Sequence, residues 1–231
     1  MQRSWWKILC VVLLAYAVIG GLLLPVPAIR QLQETIRNLY YHVCMWFGMM
    51  ILFTVSVVYS VRHLRTLDLK YDIYARAFAD VGLLLGLLGY TTGAIWAAYT
   101  WADPNNPAYA SFGSIAREPK LIGAAMAILV YFAYFILRNS IPDIDKRARV
   151  SAVYNVFAYA MLFPSIWIVP RLLPSLHPGQ EGNPALNFND IDARMRMVFY
   201  PAVIGWTLLG VWIATLKVRL TILREKKWMH A

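Results

Sequence analysis

The stretch from Ala77 to Thr100, AFADVGLLLGLLGYTTGAIWAAYT, decides the fold class. It holds one charged residue, Asp80, in a run longer than the ~20 apolar residues that cross a bilayer as a helix. In lipid every backbone amide has to bond within its own segment, and a helix does that without a partner. Gly82, Gly86, Gly89 and Gly93 recur at steps of four, three and four, so they share one helical face. Small residues in such a stripe let a second helix approach closely, and we expect tight packing from them rather than ligand binding. Asp80 lies towards one end of the run, where a helix-start or snorkelling role is expected of it.

Five more stretches of the same character flank this one, at about 6–24, 39–61, 120–138, 150–173 and 197–218. Of the 231 residues, 60% are hydrophobic and 15% charged, with a mean hydropathy of +0.52, a balance foreign to a soluble domain. The expectation is an all-α integral membrane protein, a single domain of six transmembrane helices over residues 1–231. The net charge of +10 does not indicate a nucleic-acid partner, because the basic residues punctuate apolar runs instead of forming one patch. The opening Met1-Gln-Arg-Ser-Trp-Trp-Lys7 imitates a secretory signal, yet no small-residue cleavage site precedes Pro25, so a retained first span is expected.

Lysine and arginine in alternate connections orient the chain. One side holds Arg3, Lys7, Arg62, Arg65, Lys70, Arg76, Arg138, Lys146, Arg147, Arg149, Lys217, Arg219, Arg224, Lys226 and Lys227, fifteen of the 22. The other seven are Arg30, Arg37, Arg117, Lys120, Arg171, Arg194 and Arg196. Both termini are therefore expected in the cytoplasm. The segment from Arg138 to Arg149 reads as a solvated cytoplasmic turn, and the loops at about 25–41, 101–119 and 173–196 face outward. In the first of these, Ile29, Leu32, Ile36 and Leu39 share a face, which suits a short helix lying on the membrane.

Cys10 and Cys44 fall at different depths and are not expected to bridge; no Cys-x-x-Cys-His occurs, so heme cannot be attached covalently here. Among four histidines, His63 and His230 lie in cytoplasmic segments and are expected to be exposed and inert. His42, in Leu39-Tyr-Tyr-His-Val-Cys-Met-Trp46, and His177, in Pro174-Ser-Leu-His-Pro-Gly179, both belong to the outer surface. Imidazole is a frequent axial ligand of heme iron, and two of them from separate segments can clamp a flat cofactor. Zinc or a dinuclear centre lacks further ligands at local spacing, and His177 with Asp190 or Asp192 has no nucleophile beside it; no enzymatic activity is expected. Trp96, Tyr99 and Trp101, with Tyr109 and Phe112 beyond them, form either an interfacial aromatic belt or a shelf for a porphyrin. Arg117 or Lys120 would then pair with its propionates.

Three segments carry a family resemblance: Tyr41-His-Val43, Thr92-Gly-Ala-Ile-Trp96 through Trp101 to Pro119-Lys-Leu121, and Leu176-His-Pro178. Over most of its length, from the second span to the sixth, the chain resembles the heme-handling protein C of cytochrome c maturation, also called heme exporter protein C. The resemblance implies that His42 and His177 are axial ligands of a non-covalent heme b, and that Trp96 and Trp101 belong to a tryptophan-rich heme platform. It also implies heme delivery at the outer face of the bacterial inner membrane. The partners it implies are a membrane-anchored periplasmic heme chaperone, an ATP-binding-cassette transporter and a small single-span subunit. The family's compact tryptophan run ends in Trp-Asp, whereas here it thins after Trp101, and either Asp103 or Glu118 answers to the aspartate, Glu118 being preferred because Glu118-Pro-Lys-Leu121 directly precedes the fourth span. Two rival expectations are a permease using Asp80 and the glycine stripe, and a quinol-linked b-type cytochrome.

Overall fold

A computed structural model describes residues 4–29, 32–101, 115–168, 172–173 and 191–229, the last five without side-chain detail. The helices are α1 (Trp5–Leu23), α2 (Leu39–Thr66), α3 (Leu69–Thr100), α4 (Pro119–Ser140), α5 (Ile144–Phe163) and α6 (Ala193–Met229). A 3-10 segment, Gln33–Asn38, leads into α2, and a π turn, Pro164–Ile168, continues α5. All six are long and apolar enough to cross a membrane, and no strand occurs among the described residues. The protein is an all-α, multi-pass membrane protein.

Local chemistry sets the helix ends. Leu67 takes a left-handed conformation, φ 58°, which closes α2 and turns the chain straight into α3. Asp68 and Asp143 cap α3 and α5, their carboxylates accepting from the amides of Lys70 at 2.8 Å and Lys146 at 2.7 Å. Pro119 occupies the first turn of α4, where its missing N–H costs nothing.

Helix α2 is the centre of the bundle, packing against α3, α5 and α6, while α1 lies on α6 and α4 on α5. Packing of α2 on α3 depends on the glycine stripe. A methyl group on Gly82 would lie 2.7 Å from the Phe53 ring, and one on Gly86 would lie 2.7 Å from Met49 Sδ. One on Gly89 would meet Trp46 at 3.2 Å, and one on Gly93 would fall 2.3 Å from His42. Each glycine of α3 thus receives one side chain of α2, in antiparallel order, as expected of a close-packing stripe.

Several local expectations are corrected. α3 starts eight residues before Ala77 and α5 six before Val150, so charged residues assigned to the inner turns sit on helices. Arg138 is not in a solvated turn: it is 3% exposed and grips the 7% exposed Asp72 with both guanidinium arms, at 2.7 and 2.5 Å. The pair ties α3 to α4, and because each charge neutralises the other, both tolerate burial. His63 is buried rather than exposed, its Nδ1 3.0 Å from the Asp68 carbonyl across the α2–α3 turn. Asp80 lies three turns into α3, away from the helix start, and forms an ion pair with Lys217 of α6. Residues 33–38 do form a short helix, as expected. They make a 3-10 segment that buries Ile36 against Tyr40, Met195 and Phe199. Cys10 and Cys44 are separate, free and buried. His177 and His230, with Asp103, Tyr109, Phe112, Arg171 and Asp190, lie outside the described residues.

Candidate functional site

His42 stands in the first turn of α2, at the bundle end poor in lysine and arginine. The α2–α3 register turns it towards α3 instead of lipid, and it is buried there. Nδ1 of the ring lies 2.8 Å from the Gly89 carbonyl. A carbonyl oxygen only accepts, so Nδ1 carries the hydrogen and donates it, which leaves the ring's lone pair on Nε2. Metal-binding histidines are commonly oriented this way, with the second ring nitrogen donating to a backbone carbonyl.

Two tryptophans border the imidazole. Trp46, one turn along α2, and Trp96, near the end of α3, meet it edge to face with centroids 6.3 and 6.0 Å away. Trp96 is itself anchored: its Nε1 donates to the Thr35 hydroxyl at 3.1 Å, and that hydroxyl donates in turn to the Leu32 carbonyl. Asn38 Nδ2 reaches the Thr92 carbonyl at 3.5 Å, and Thr92 Oγ1 lies 3.5 Å from His42 Nδ1. On the far side, Arg37 Nη1 donates to the carbonyls of Gly21 at 2.6 Å and Leu24 at 2.8 Å, at the end of α1. Trp206 of α6 donates to the Tyr40 carbonyl at 3.2 Å. Four helices and the 3-10 segment therefore hold the surroundings of one histidine.

The expected site residues divide. His42 and Trp96 come together. Trp101 follows the last turn of α3, half-buried, its amide bonded to the Ala97 carbonyl at 3.0 Å. Tyr99 is 73% exposed and makes no ring contact among the described residues. Glu118 is buried at the N-cap of α4, where its carbonyl accepts from the Ile122 amide at 3.0 Å; Arg117 is exposed and Lys120 half-buried. His177 lies outside the described residues. Sequence reasoning missed Thr35 and gave Thr92 and Trp46, which its motifs contain, no role beside His42. It saw Gly89 and Gly93 only as packing surface, although their place on the His42 side of the stripe was a usable signal.

Among the described residues no three His, Cys, Asp or Glu side chains gather to hold a metal ion unaided. His42 suits a metal centre that arrives with its own equatorial ligands and asks the protein for an axial nitrogen, which is what a porphyrin iron does. Its aromatic neighbours suit a flat conjugated ligand. Compared with known proteins, the chain matches no protein-family model and no curated relative.

Proposed function

We infer that this protein binds heme at the lysine- and arginine-poor end of its bundle and passes it to a partner. The observation that carries the inference is the His42 ring, held with Nδ1–H on the Gly89 carbonyl and its lone pair on Nε2. An axial ligand requires its lone pair on the nitrogen away from that carbonyl, and here two tryptophans flank the ring that carries it.

In this account His42 and His177 are the two axial ligands of a non-covalent heme b. Trp96, fixed by Thr35, and Trp101, which follows the last turn of the same helix, offer the aromatic platform. Tyr99 belongs to its exposed margin, and Arg117 and Lys120 supply positive charge for the propionates. Glu118, buried at the start of α4, takes the place of the family aspartate. Two imidazoles saturate the iron and leave no position for oxygen chemistry, which suits carriage better than turnover. The resemblance to the heme-handling protein C family supports an outer-face location in a bacterial inner membrane. It likewise supports handover to a membrane-anchored heme chaperone, alongside an ATP-binding-cassette transporter and a small single-span subunit. Asp80 pairs with Lys217, which gives that carboxylate a partner within the bundle and weighs against a permease.

Replacing His42 and His177 singly with glycine tests this function. Both variants are expected to purify as folded protein with less heme and an altered Soret band. Wild-type heme content and spectrum in both would overturn it.

A further inference from the structure

Gly93 differs from the other three glycines of the stripe in what it faces. A methyl group on Gly86 would press on Met49 Sδ, the far end of a flexible chain that can swing aside. On Gly93 it would fall 2.3 Å from His42 Cε1, 2.8 Å from Nδ1 and 3.1 Å from Nε2, close to the whole polar edge of the ring. The imidazole cannot flex within itself. Whether it turns about its side-chain bonds or is pushed back from α3, Nδ1 moves away from the Gly89 carbonyl that it now reaches at 2.8 Å. The two edge-to-face tryptophans, one of them pinned by Thr35, restrict that turn further. Gly89 and Gly93 are one helical turn apart on the same face, so a single stripe provides both the acceptor and the space.

We propose that Gly93 is a positioning residue for His42: its missing side chain opens the slot in which the imidazole lies, while the Gly89 carbonyl one turn earlier sets which ring nitrogen presents a lone pair. This rests on the heme-binding role of His42 and adds that the ligand's orientation is encoded on α3, outside its own helix. A packing glycine would act on stability alone; a positioning glycine acts on the iron's ligand field.

Four variants of the full-length protein decide the matter: Gly93→Ala, Gly86→Ala, His42→Gly and His42→Gly with Gly93→Ala. Each is purified in detergent and checked for a monodisperse fold. The readout is the ferric spectrum of bound heme by absorption and electron paramagnetic resonance. We expect Gly86→Ala to match wild type and Gly93→Ala to lose the low-spin, bis-imidazole signature. In the His42→Gly background, Gly93→Ala should change the spectrum no further, since both act through one ring. Added imidazole should restore the low-spin signal to His42→Gly and restore less of it to the double variant, whose new methyl group occupies the slot. This comparison also decides the question if Gly93→Ala alone does not fold, because the double variant removes the clash. A wild-type spectrum in Gly93→Ala, or equal rescue of both glycine backgrounds, overturns the positioning role and leaves the ligand assignment standing. An unchanged spectrum in His42→Gly overturns the ligand assignment instead.

Discussion

Surroundings, not tautomer, distinguish His42 from the other histidine the structure describes. His63 also places Nδ1 near a backbone carbonyl, that of Asp68 at 3.0 Å, but at the charged end of the bundle, across a tight turn it helps to close. His42 faces two tryptophans at the opposite end. The difference predicts opposite outcomes for the same change. His42→Phe keeps a flat ring against Gly93 and should leave thermal stability near wild type while bound heme falls; His63→Phe should lower the melting temperature with heme per folded protein unchanged. Reversed outcomes would exchange their roles. Thr35 offers a smaller test. Thr35→Val removes the acceptor of the Trp96 indole, a loss of about 1 kcal/mol for a neutral hydrogen bond, readable by denaturation in detergent. At this scale the sequence was half legible. His42 and Trp96 stood out because histidines are few and the outer segment is aromatic, but burial of His63 depends on a carbonyl five residues on, which composition does not reveal.

Helix α3 shows why element boundaries were harder than element existence. Its apolar run announces a span, yet the helix begins at Leu69, two turns before the run, because Asp68 caps it and Arg138 neutralises Asp72. Charge in a helical turn reads as loop until its partner on another helix is known. That pairing carries a prediction. Arg138→Met strands a buried carboxylate and should cost about 3–5 kcal/mol, whereas Arg138→Met combined with Asp72→Leu should recover most of the loss. Unfolding followed by circular dichroism in detergent measures both, and equal losses would mean that the ion pair itself, not the stranded charge, matters. The glycine stripe was legible as packing surface from its spacing. What spacing cannot show is register, and register decides that Gly93 meets a histidine while Gly82 meets the ring of Phe53, itself stacked on Tyr131 at 3.5 Å. Gly82→Leu should therefore destabilise the bundle by about 1–3 kcal/mol through overpacking.

Across the whole molecule, the two ends of the bundle are built differently. One end is braced by charge and amide chemistry: Asp72 with Arg138, and Asn155 donating to Ser56 at 2.7 Å and Ser60 at 2.9 Å. The other is braced by backbone carbonyls that accept from Arg37, Asn38 and Trp206, around a histidine between aromatic rings. The lysine and arginine count assigns the first end to the cytoplasm. Cysteine accessibility checks that assignment directly, because native Cys10 and Cys44 are buried. In intact cells an impermeant maleimide should label Tyr99→Cys and spare Ile144→Cys until the membrane is opened; the reverse pattern would invert the topology. Six spans were legible from length and hydropathy, which lipid imposes directly on sequence. The bracing was not, since it arises between helices.

Heme carriage is the central claim, and the absorption spectrum of the full-length protein purified from heme-replete cells tests it most directly. A Soret band with sharpened visible bands on reduction, from heme that acidified organic solvent extracts, is the predicted result. A colourless protein that also takes up no added hemin would contradict the account.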